Sequence, residues 1–166
     1  MLFRSVADRI KKTVGFRLNN PGNVERGQSW LGLAPVQQHG RYATFIAPEF
    51  GIRVIAYLLA KYQRDYGVNT IRQFVSKYAP EHENPIDAYI TNLARWVGVN
   101  PDTTINLVAL APRIVRGVIA QEIGYGEQPY PDSVIDTGIA MAADSTRAEQ
   151  FAAIPSSLPS ASLKLA

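Results

Sequence analysis

The sequence predicts a mainly α protein: a compact helical domain, a small irregular β lobe near its start, and an extended tail at its end. Three observations carry this. Apolar residues recur at three- and four-residue spacing in successive stretches between Pro48 and Gly124. One short run, Arg41–Ile46, is rich in aromatic and β-branched residues and has no helical period. Beyond Gly126, Pro129, Pro131, Pro155 and Pro159 punctuate a segment rich in Ala, Ser and Asp.

The bulk composition sets the limits. A chain of 166 residues that is 46% apolar suits one packed domain with a tail. No run approaches the roughly 20 apolar residues of a membrane span. With no cysteine there is neither a disulfide framework nor a thiolate site, and His39 and His82 stand alone without ligand spacing, so no metal or cofactor is expected. The net charge of +3 comes from basic residues scattered along the chain, with a single cluster at Arg9, Lys11 and Lys12. That scatter argues against a nucleic-acid partner, which calls for a concentrated basic face, and it suits an anionic polymer.

In chain order, Leu2, Phe3, Val6, Ile10 and Val14 make an amphipathic N-terminal helix over residues 1–15. Arg4, Asp8, Arg9, Lys11 and Lys12 interrupt it, so it lacks the apolar region of a secretory signal. It reads as a helix docked on the domain or a partner, or as one lying on a membrane surface. Gly15 to Gly40 has no period and reads as structured loop, with the Val24 region pairing against Arg41–Ile46. Pro48 opens a helix with Glu49 favourably placed near its N-terminus, a stripe of Ile52, Ile55, Leu58, Leu59 and Tyr62, and a stop at Gly67. Thr70 caps a helix from Ile71 to Tyr78. Asn84-Pro85 opens another, with Ile86, Tyr89, Ile90, Leu93 and Trp96 on one side, Trp96 being read as core. Asp102-Thr103 starts a short helix to Leu110, and Pro112 opens the last strong one, ending at Gly124. The domain thus covers 16–126. Residues 127–166 form an extension outside the core, ordered by a partner if at all, with one short helix between Thr146 and Ala153.

One residue breaks the last strong helix's pattern. At about 100° per residue, Ile114, Val115, Val118, Ile119 and Ile123 share a face, and Glu122 falls near its centre. A carboxyl in apolar surroundings resists ionisation, and the negative end of the helix dipole acts the same way. A carboxyl kept protonated in this manner is what a general acid for glycoside cleavage requires. The alternatives are a last-turn side chain bent to solvent or an ion pair.

Several runs carry a family resemblance. Arg17-Leu18-Asn19-Asn20-Pro21-Gly22-Asn23-Val24 resembles the R-N-N-N-P-G-N-I opening of a family of phage virion proteins and their prophage relatives. Phe45 with Pro48-Glu49-Phe50-Gly51-Ile52-Arg53, Asn69-Thr70-Ile71, Tyr78-Ala79-Pro80 with Glu83-Asn84, Tyr89-Ile90 and Val97-Gly98-Val99 resemble its later segments. Ile119 to Gly124 resembles its terminal I-x-x-E-N-G, so the likeness spans roughly Phe16 to Gly124. Leu18, Tyr78 and Ile123 depart from the family pattern. The family is in turn distantly similar to lysozyme-like glucosaminidases and lytic transglycosylases, where an E-S-G at a helix end supplies the acid and an Asn-rich loop borders the sugar cleft. Here the loop comes first and the glutamate last, a circular permutation of the usual order.

The resemblance implies a lysozyme-like fold, peptidoglycan as the substrate, the virion as the location and the bacterial cell wall as the place of action. Glu122 and Glu25 are then the candidate catalytic carboxylates, Glu25 being otherwise a solvated loop acid. Arg17, Asn19, Asn20 and Asn23 are the candidate glycan-binding residues, although Asn also builds turns. Trp30, Tyr42 and Tyr89 are candidate sugar-stacking rings. Other virion proteins would contact the N-terminal helix and the tail. The competing reading is a non-catalytic structural virion or tail component that keeps the fold, and a third is a nucleic-acid-contacting packaging protein.

Overall fold

A computed structural model of the chain describes residues 5–79 and 85–152, with only the helical backbone given for 147–152. Leu2, Phe3 and Arg4, the Pro80–Asn84 run with His82 and Glu83, and the tail from Ala153 with Pro155 and Pro159 lie outside the described residues. The described chain is mainly helical, in the order α1 (Val6–Lys11), α2 (Val14–Arg17), α3 (Pro48–Tyr66), α4 (Ile71–Tyr78), α5 (Ile86–Val97), α6 (Ala111–Glu122) and α7 (Asp132–Ala152).

Helices α3 and α4 begin and end where the sequence signals place them. Pro48 opens α3, and Gly67 closes it with φ 64°, a left-handed conformation glycine adopts without strain. The Thr70 side chain accepts a hydrogen bond from the Gln73 N–H at 3.1 Å and starts α4. The expected N-terminal helix is instead two short pieces. The Thr13 hydroxyl donates to Ile10 O at 2.7 Å and accepts from the Phe16 N–H at 3.3 Å, so it closes α1 and opens α2.

The short helix expected from Asp102 to Leu110 is corrected to turns. Its backbone donors are used elsewhere: the Ile105 N–H donates to Asn69 O at 2.8 Å and the Leu107 N–H to Gln63 Oε1 at 2.6 Å. With these two central N–H groups committed to neighbouring elements, the i−4 pattern of a helix is interrupted in mid-segment and survives only at its end, from Leu110 to Asn106 O.

The reading of residues 127–166 as an extension outside the core is also corrected over its described helix, α7. Helix α7 lies along α3 in the same direction, its Ile135 and Ala142 buried in the main core. Gly138 makes the approach close: a Cβ there would stand 2.6 Å from Ile52 Cγ2 and 2.8 Å from Glu49 O. Farther along, Arg53 Nη2 donates to Ser145 Oγ at 2.9 Å. Arg116 of α6 grips the start of α7 through Asp132 and Asp136, each at 3.0 Å. Around this pair, α4 packs on α5 and α5 on α6. Ile52, Ile55, Leu59, Ile71, Phe74, Leu93, Ile114 and Ile119 fill the space between them.

The segment before α3 is held differently. Arg41–Ile46 is corrected from a strand to an extended segment with two isolated bridges, Glu25 to Tyr42 and Leu33 to Phe45. On one edge Ala43 N–H donates to Val24 O and Phe45 N–H to Leu18 O, both at 2.9 Å. On the other, Ile46 N–H donates to Gly32 O and Ala34 N–H to Thr44 O, also at 2.9 Å. Several partner segments share the two edges, so no continuous ladder forms. Side-chain amides complete the pairing. Asn20 Nδ2 donates to Ala43 O at 2.9 Å, Asn19 Nδ2 to Phe45 O at 3.0 Å and Gln37 Nε2 to Thr44 O at 2.9 Å. A second, smaller core of Ala43, Phe45 and Val54, flanked by Trp30, Leu33 and Phe50, underlies this lobe.

Candidate functional site

The lobe and the helical body meet at Glu122, the last residue of α6. Asn23 Nδ2 donates to Glu122 Oε2 at 2.9 Å, across 99 residues of sequence. The Tyr89 hydroxyl of α5 donates to Glu122 Oε1 at 3.0 Å. Asn23 is aimed there by its own backbone, which is left-handed at φ 50°, and by the turn before it, where the Asn23 N–H donates to Asn20 O at 3.1 Å. Tyr78 stands behind that turn and donates its hydroxyl to Gly22 O at 2.8 Å. Gly22 admits it because any Cβ would collide with the Tyr78 oxygen.

Burial raises the Glu122 pKa above its ordinary value of 4.5, and the hydrogen bonds from Asn23 and Tyr89 partly oppose this by favouring the ionised form. The same carboxyl acts on its neighbours. Burial first, and the nearby Glu122 charge second, push the Tyr78 and Tyr89 hydroxyls well above the usual tyrosine range, so both remain protonated. The Tyr89 hydroxyl can therefore donate to the carboxylate, or turn and accept from the protonated acid. A hollow of about 210 Å³ opens beside this cluster, lined by Gly22, Asn23, Glu25, Leu58, Tyr62 and Tyr78.

The sequence-expected site residues divide. Glu122 and Asn23 come together, and Glu25 lines the adjoining hollow. Glu25 is bound by Arg41, whose Nη2 lies 2.6 Å from its Oε1 on the open surface. Asn20 is corrected as a ligand-contacting group: it is 0% exposed and donates to Val24 O and Ala43 O while accepting from the Val24 N–H. Asn19, left-handed at φ 54°, spends its amide on Phe45 O. Tyr89 is corrected as a stacking ring, since it is buried and reaches the site only through its hydroxyl.

Trp30 packs edge-on against Tyr57, centroids 5.9 Å apart, within the smaller core. Tyr42 stacks on His39 at 5.1 Å with the Arg41 guanidinium over its ring. Arg17 is exposed and is not among the partners of Glu122, whose carboxyl is held by Asn23 and Tyr89.

Two features escaped the sequence reading. Tyr78 backs the site, a role that only the Gly22 contact reveals. Trp96, expected in the core, is 42% exposed on the outer side of α5. Among the described residues no group of three or more His, Asp or Glu is arranged to hold a metal ion, and no helix is long and apolar enough to cross a membrane.

No protein-family profile matches the chain. Protein P5 of Pseudoalteromonas phage PM2 is 30% identical to it over 128 residues, which take in 75% of this chain and 78% of that protein.

Proposed function

The chain belongs to the family of Protein P5 of Pseudoalteromonas phage PM2, and on that footing we propose that it is a virion component that cuts the glycan strands of the bacterial cell wall to aid genome delivery. The observation that carries the reading is the 2.9 Å bond from Asn23 to Glu122, which joins the Asn-rich loop to the one carboxyl at the end of α6. In this reading the fold is lysozyme-like with its loop and acid in permuted order. The protonated Glu122 delivers its proton to the glycosidic oxygen as the C–O bond breaks. Asn23 and Tyr89 orient the carboxyl, and the Arg17–Asn23 loop borders the sugar. Water completes a hydrolase, whereas the sugar's own hydroxyl completes a transglycosylase and removes the need for a second acid. Glu25, which lines the adjoining hollow, is the further carboxylate should one be used.

A specific observation favours a second reading, a structural virion component without activity. Both Glu122 oxygens already accept from protein donors, as they would in a purely structural joint between lobe and body.

Muropeptide release from purified sacculi by the full chain and by Glu122→Gln separates the two. Release by the parent alone supports Glu122 as the acid, with anhydro-sugar products marking a transglycosylase and reducing ends a hydrolase. Equal release by both removes Glu122 from the chemistry, and release by neither leaves the structural role.

A further inference from the structure

We propose that the groove along the α5–α6 seam is a second binding site that holds an acidic glycan strand; the proposal rests on the cell-wall reading and names where the polymer is gripped away from Glu122. The groove has a volume of about 780 Å³ and is lined by Asn92, Arg95 and Trp96 of α5, by Gly117 and Gln121 of α6, and by Tyr125 beyond it. Its two rings are exposed, Trp96 by 42% and Tyr125 by 54%. The edge of the Trp96 indole lies over Gly117 of α6, while Tyr89, Ile90, Leu93, Ala94 and Val97 bury the apolar face of α5. Tyr125 is held in a left-handed conformation, φ 49°, which a residue with a Cβ rarely adopts. Its ring carries the Arg9 guanidinium 4.3 Å from its centroid.

The polar groups complement the rings. Asn92 Nδ2 donates to Gln121 Oε1 at 3.3 Å. The other amide atoms of this pair, Asn92 Oδ1 and Gln121 Nε2, make no further hydrogen bond among the described residues and remain free for a ligand hydroxyl or acetamido group. Arg95 makes no ion pair among the described residues, and no acidic side chain lines the groove. Flat rings take the C–H faces of sugars, the amide pair takes hydroxyls, and the guanidinium takes a carboxylate. A neutral glycan would leave Arg95 unanswered. The seam also connects the groove to the acid: Tyr89, Asn92 and Trp96 follow one another along α5 at helical spacing, opposite Glu122, Gln121 and Gly117. Seven residues of helix separate Tyr89 from Trp96, about 10 Å along the axis. The carboxylate would come from the sugar itself or from a peptide attached to it.

The test uses the full chain carrying Glu122→Gln, so that binding is read without cleavage. Its retention is measured on purified sacculi and on glycan strands stripped of their peptides. Trp96→Ala and Arg95→Ala should each weaken retention at least tenfold, and Trp96→Phe should restore most of it. Arg95 is exposed, so its variant decides the matter if Trp96→Ala fails to fold. Weakening by Arg95→Ala on both probes assigns the carboxylate to the sugar, and weakening on sacculi alone assigns it to the peptide. No retention of the parent on either probe, retention indifferent to Trp96 and Arg95, or tighter binding to duplex DNA through the same residues overturns the proposal. Retention that depends on Trp96 in a protein that releases nothing overturns the cutting reading and leaves the groove standing. Release by the wild-type chain with retention indifferent to the groove does the reverse.

Discussion

The helical body and the lobe before it reach order by different physics. In helices α3 to α7 the described chain is held by apolar side chains at three- and four-residue spacing, each burying area against several others. Between Leu18 and Ile46 few residues are buried, and the backbone is held by the amides of Asn19, Asn20 and Gln37 standing where a neighbouring strand would. Apolar packing is non-directional and spreads its loss over many contacts. An amide network is directional, and removing one member leaves specific backbone groups short of a partner. Glu122 sits where the two systems touch. This explains why a carboxyl near the apolar face of α6 ends up with two directional partners.

The largest effects should come from the body. Phe74→Ala removes a ring with no exposed surface and should cost about 4 kcal/mol in denaturant unfolding, spread over the whole domain. Ile135→Ala on α7 should cost about 3 kcal/mol; a loss below about 1 kcal/mol would show that α7 is an appendage and blur the boundary drawn above.

Asn20→Ala is the sharpest probe of the lobe. It leaves the Val24 N–H, the Val24 carbonyl and the Ala43 carbonyl without this partner and should cost about 2 kcal/mol. The damage should be local: amide exchange at Ala43 and Phe45 should quicken far more than in α6. Uniform quickening would mean that the two regions are one cooperative unit.

The junction should show itself through pH. Folding raises the Glu122 pKa, so the charged form penalises the folded state. That penalty is full above the folded pKa and vanishes as pH falls below the ordinary value of 4.5. Glu122→Gln should therefore raise the melting temperature more at about pH 7.5 than at about pH 4. An equal change at both would show that Asn23 and Tyr89 fully offset the burial. The smallest effect belongs to Glu25→Gln, which weakens an exposed pair with Arg41 and should shift stability by no more than about 0.5 kcal/mol.

What the sequence alone determined is the local grammar. Pro48, Gly67 and Thr70 delimit α3 and α4 because a fixed φ, a left-handed stop and a capping hydroxyl act within one turn of the residue that carries them. Glu122 was visible because a charge within an apolar stripe violates a short-range period. Helix α7 was missed because its buried face, Ile135, Gly138, Ala142 and Ser145, is built mostly of small residues. Such residues carry little hydrophobic signal and matter only once another helix comes within reach. The strand expected at Arg41–Ile46 failed because several segments share its two edges, and the helix expected at Asp102–Leu110 because its Ile105 and Leu107 N–H groups are taken by Asn69 and Gln63. The meeting of Asn23 with Glu122, the burial of Asn20 and Tyr89, and the exposure of Trp96 were decided by tertiary structure alone. Each depends on which side chain from elsewhere occupies the neighbouring space, and no local pattern encodes that.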